Sequence, residues 1–73
     1  MNELRHWVSL LLRACCVHDV EQVLQGFSEQ PWTLLDRATI SAIYTPIAVK
    51  MLGQSEEKYR RLEDLAALCW RVV

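Results

Sequence analysis

Glycine is almost missing from this chain: only Gly26 and Gly53 occur in 73 residues. Loops that hold phosphate on successive backbone N–H groups need glycine-rich turns, so that kind of nucleotide site is excluded. Long apolar runs are missing too. The best one, Trp7 to Leu12, is interrupted by Ser9 and stopped by Arg13, far short of the roughly 20 residues that span a bilayer. It also lacks the layout of a signal peptide. Neither sign of charge dominates: eight basic and nine acidic residues give a net charge of −1, so nothing draws the chain to phosphate backbones or anionic lipid. The Lys58-Tyr59-Arg60-Arg61 cluster is surrounded by Glu56, Glu57, Glu63 and Asp64 and reads as a solvated helix face rather than a nucleic-acid site. The single asparagine, Asn2, is not in a glycosylation sequon. Three cysteines, two of them adjacent, do not make a disulfide framework, which points to a reducing intracellular compartment, cytoplasmic or nuclear.

Apolar material, by contrast, is abundant. It makes up 52% of the residues and includes three tryptophans. A single domain over 1–73 buries only about 60% of the surface its unfolded chain exposes. Some of that material must therefore stay outside, where continuous apolar patches usually mark binding faces.

The apolar positions follow helical periods. Ile40, Ile43, Tyr44, Ile47, Ala48 and Met51 recur at i, i+3, i+4, i+7, i+8 and i+11, one face of an α-helix. The stripe keeps its register across Pro46, which predicts one helix over 34–52, kinked at the proline. A short turn over 31–35 leads into it, with Pro31 and the Thr33/Asp36 pair as start signals. Gly53 ends it. A first helix is expected over 2–17, capped by Asn2, with Leu4, Trp7, Val8, Leu11, Leu12, Ala14 and Cys15 inward and Cys16 on the polar side. Leu10 and Val17 form a second, narrower stripe. A short second helix over 19–27 starts at Asp19, which with Gln22 resembles a capping box, and weakens at Gly26. A fourth, over 55–72, starts at Ser55. It carries the favourable i, i+4 pairs Glu56–Arg60 and Glu57–Arg61 and has Tyr59, Leu62, Ala66, Cys69, Trp70 and Val73 on one face. Leu65, Leu68 and Val72 widen that apolar arc to about 200° at 100° per residue. The expected fold is all-α, a small bundle of about four helices joined by brief connections.

Candidate chemistry is thin. Cys15, Cys16 and His18 offer metal-ligand types, but zinc wants four converging ligands, and the helix reading sends the two cysteines to different faces. A Cys16/His18 nucleophile has Arg5 and Arg13 on its face but neither an orienting third group nor an oxyanion site. The carboxylates Glu56, Glu57, Glu63 and Asp64 sit on a solvated side. Neither catalysis, a cofactor, a metal nor a small-molecule substrate is expected. The arrangement over 36–73 is loosely similar to one unit of a helical-hairpin repeat. It lacks the tetratricopeptide signature, and the first half does not repeat the second.

The reading that follows is a non-catalytic protein–protein interaction module: a helical adaptor or complex subunit docking on a larger protein through helix faces left over after core formation. The expected contact residues are Leu65, Leu68, Trp70, Val72 and Val73, then Trp32, then Leu10 and Val17. A protein partner in a hetero-complex is favoured. Oligomerisation with itself, or membership in a longer helical-repeat scaffold, stands as the alternative.

Overall fold

The stripe through Ile40, Tyr44 and Ala48 lies at the centre of the molecule. A computed structural model describes residues 3–71 and forms them into four helices, α1 (Leu4–Leu12), α2 (Val17–Ser28), α3 (Leu34–Leu52) and α4 (Lys58–Cys69), with no strand among the described residues. The fold is the expected small all-α bundle.

The expected span of α3 is met at both ends. Thr33 Oγ1 accepts the Asp36 N–H at 3.1 Å, an N-cap worth about 1 kcal/mol, and Asp36 complements the positive end of the helix dipole. Gly53 closes the helix at φ 54° and ψ −123°, a conformation that a Cβ strains. Between them the helix runs unbroken through Pro46. Proline removes the hydrogen bond to the carbonyl four residues earlier. Ala42 and Pro46 are both exposed, which leaves the freed acceptor open to water.

Several boundaries differ from expectation, among them the end of α4, at Cys69 rather than 72. α1 stops at Leu12 rather than 17, because the Cys15 N–H leaves the helical ladder and donates to Asp19 Oδ2 at 2.9 Å. Cys16 is extended, at φ −151° and ψ 171°, and stands at the N-cap position of α2. Asp19 therefore works from inside the first turn of α2, reaching back as the third residue of a capping box does; its role as the helix start is corrected. Gly26 is inside α2 and does not close it. α4 begins at Lys58, three residues after Ser55, whose hydroxyl and carbonyl instead hold a turn with Glu57 and Lys58. Asn2, Val72 and Val73 lie outside the described residues.

The core takes buried residues from every helix: Leu11 from α1; Val20, Leu24 and Phe27 from α2; Ile40, Tyr44 and Ala48 from α3; Leu65 and Cys69 from α4. Ile43, Ile47 and Met51 pack against it, completing the predicted face of α3. Each fully buried leucine or isoleucine is worth about 1.5–3 kcal/mol, so every helix is tied to the others by at least one such anchor or its equivalent. α2 and α3 pack on each other and on both remaining helices, whereas α1 and α4 do not touch. The result is a central pair flanked on two sides, 39 × 23 × 17 Å overall.

Candidate interaction surfaces

Two clusters show how the helices are locked and which residues are thereby taken out of circulation. The first is aromatic. Phe27 stacks on Trp32 at 4.8 Å, nearly parallel, and receives the edge of Trp7 at 6.1 Å. The Trp32 indole N–H donates to the Phe27 carbonyl at 2.7 Å, at the end of α2, where the same oxygen also accepts the Gln30 N–H at 3.2 Å. Trp32 is therefore an internal strut of the α2–α3 connection. Trp7 lies on Gly26, where a Cβ would come within 3.0 Å of two ring carbons. A Cβ there would press the ring away by a few tenths of an ångström, so the glycine lets α1 lie close on α2. The Trp7 indole N–H is buried without a partner among the described residues.

The second cluster was not anticipated. Arg37 is 5% exposed. Its Nη1 donates to the Cys69 carbonyl at 2.9 Å and its Nε to the Trp32 carbonyl at 3.3 Å. The Cys69 thiol donates back to the Arg37 carbonyl at 3.4 Å. A guanidinium at the C-terminus of α4 meets both an orphan carbonyl and the negative end of the helix dipole. The signal was present in the sequence: Arg37 is three residues before Ile40 and seven before Tyr44, on the buried stripe. Burial pushes the Cys69 thiol up from 9.0 to about 11, against the pull of Arg37, so it is protonated and unreactive near neutral pH.

The residues expected at a partner surface are redistributed. Leu65 is 1% exposed and belongs to the core, which corrects its assignment to a surplus face. Leu68 and Val17 are partly buried against the core. Leu10 lies on α1 and Val17 starts α2, so the stripe drawn through both does not exist. Trp70 does reach solvent, at 42%. The buried side of α4 is centred near Leu65 and Cys69, turned roughly 80° from the face read off the sequence. Tyr59 accordingly points outward. The expected Glu56–Arg60 and Glu57–Arg61 pairs are replaced by Arg61 to Glu21 of α2 at 3.7 Å. That exposed bridge contributes at most about 1 kcal/mol.

Cys15 and Cys16 are both exposed, which corrects the inward placement of Cys15. Cys16 is not on α1, so it shares no helical face with Arg5 and Arg13. Among the described residues no three His, Cys, Asp or Glu side chains gather as a metal set. No helix among them is long and apolar enough to cross a membrane.

What remains outside is mostly leucine. Leu12, Leu34 and Leu35 are 68%, 75% and 76% exposed, on α1 and α3. Leu34 and Leu35 point about 120° and 140° away from Ile40 on the helical wheel, so their exposure was legible once the helix start was known. Beside them a groove of about 410 Å³ opens between α1 and α3, lined by Leu4, Arg5, Val8, Ser9, Leu12 and Thr39. A second depression, about 560 Å³, lies along α4, with Glu21, Asp64, Ala67, Leu68 and Arg71 around it. No protein-family model, curated protein or solved structure matches this chain.

Proposed function

We propose that the chain is a non-catalytic protein–protein interaction module, a small helical subunit that docks on a larger protein through apolar surface its own core does not use. The observation that carries this reading is the exposure of Leu12, Leu34, Leu35 and Tyr59, each more than two-thirds accessible. Scattered surface leucines are ordinary. Here Leu12 lines an apolar groove and Leu35 shares a helix face with Thr39, which lines it too, and that combination marks interaction surfaces. The buried, protonated Cys69 thiol and the intramolecular bonds of Arg37 fit structural roles rather than catalytic ones. A reducing compartment suits the adjacent exposed thiols.

The test is the behaviour of the purified chain. Sedimentation and light scattering are expected to show self-association or loss of solubility with rising concentration. Replacing Leu12, Leu34, Leu35 and Tyr59 with charged residues is expected to abolish it while the helical circular dichroism stays unchanged. A parent chain that stays monomeric and soluble at high concentration overturns the reading.

A further inference from the structure

The α1–α3 groove has a chemistry specific enough to name what fits it. One wall is the ridge Leu4, Val8 and Leu12, spaced i, i+4, i+8 over two turns of α1. The other is α3, where Thr39 lines the groove and its hydroxyl bonds to the Leu35 carbonyl one turn earlier. Positions i and i+4 share a helix face, so Leu35 stands exposed on the same face of α3 as Thr39. From Ala38 to Val49 α3 carries no charged residue at all, although Ala38, Thr39, Ala42, Thr45 and Pro46 are exposed. A helix uncharged on all sides belongs in an interior, and this one lacks a cover on one side.

Charge selects the occupant. Arg5 and Ser9 line the groove and no carboxylate does. Arg13 continues that edge at the next turn and is exposed. Among the described residues neither arginine has an acidic partner; the ion pair present is Arg61 with Glu21. Arg5 and Arg13 are eight residues apart, about 12 Å along a helix, a separation matched by carboxylates seven or eight positions apart on a helix lying alongside. We infer that the α1–α3 groove is the docking site for an amphipathic helix of a partner protein whose apolar face is flanked by acidic side chains. This rests on the interaction-module reading and adds its site and partner class. A second copy of this chain fits less well. The outward side of its α4 carries Arg60 beside Glu63 and Asp64, which brings a cation toward Arg5 and Arg13.

The probe is a synthetic heptad peptide with leucines at a and d and glutamates at e and g, with a lysine-flanked twin. Titrated into dilute protein, the glutamate peptide is expected to shift the amide NMR signals of Val8, Leu12 and Thr39 and to bind at least about tenfold tighter than its twin. Leu12→Asp, at an exposed position that leaves the core intact, is expected to weaken binding by about tenfold or more. Arg5→Glu with Arg13→Glu is expected to reverse the preference between the peptides. Equal binding of the two peptides, shifts confined to α4, or self-association at the groove that the glutamate peptide does not displace each overturn the proposal; the last assigns the face to a second copy. These results differ from failure of the broader reading, which shows as an inert monomer before any peptide is added.

Discussion

Arg37→Met removes the clamp between α3 and the end of α4 while keeping most of the buried volume. The side chain lost donates two charged hydrogen bonds, to Cys69 and Trp32 carbonyls, each worth roughly 1.5–3 kcal/mol. Methionine leaves both acceptors without that partner. Against this stands the desolvation of a buried guanidinium with no carboxylate beside it, a cost that methionine relieves. The difference comes to a net loss of about 2–4 kcal/mol. For a chain of this length total stability is roughly 4–11 kcal/mol at 0.05–0.15 per residue, so the change is easily read by urea denaturation. A second readout localises it. In a Cys15→Ser, Cys16→Ser background the one remaining thiol is Cys69, buried and hydrogen-bonded to Arg37. Its reaction with a thiol reagent under native conditions reports opening of α4 alone. Arg37→Met is expected to speed that reaction more than the loss of global stability accounts for. Arg37→Lys is expected to rescue only part, since an ammonium does not reproduce the planar fork. A variant as stable as the parent, with Cys69 still protected, refutes the reasoning and means that desolvation outweighs the clamp.

Two further outcomes follow from the same packing. Gly26→Ala alone is expected to destabilise by about 1 kcal/mol, because overpacking against Trp7 at 3.0 Å outweighs the helix-propensity gain. In a Trp7→Ala background the same change is expected to stabilise by about 1 kcal/mol, and a double-mutant cycle showing no coupling contradicts the close approach. Alkaline pH provides the other test. The Cys69 thiol is raised from 9.0 to about 11 by burial, and burial likewise raises the Tyr44 phenol. A raised folded-state value means the stability is complete below the unfolded value and is lost as pH rises through the folded one. Thermal midpoints are therefore expected to hold to about pH 9 and fall above it, with the fall reduced in Cys69→Ala relative to its own neutral-pH midpoint.

Much of the architecture was legible because it depends on local physics. The period-3.6 stripe from Ile40 to Met51 and the Thr33 and Gly53 signals each act within a few residues, and together they placed α3. The α1–α2 boundary was harder. Ala14 and Cys15 keep the apolar rhythm, and the Asp19 carboxylate draws off the Cys15 N–H beyond the end of the helix. That competition is decided by geometry, to which periodicity is blind. The contact surface was the least legible part. The arc of α4 was read as wider than one core could use, but not which part the core would take. Leu65 went in and Trp70 stayed at the edge because α4 packs on both α2 and α3 and is held at Cys69 by Arg37.

The sequence by itself determined an all-helical chain, the extent of its central helix and an excess of apolar side chains over what so small a core can hide. Those follow from backbone hydrogen bonding, hydrophobic period and the ratio of surface to volume, all properties of the chain alone. Only the tertiary structure decided where the excess lies: on the α1–α3 side, with Leu12 and Leu35 outward and Leu65 and Trp32 internal. Which face of an apolar helix is left uncovered depends on how its neighbours are rotated, and that is set by long-range contacts such as Arg37 to Cys69 and Trp7 on Gly26.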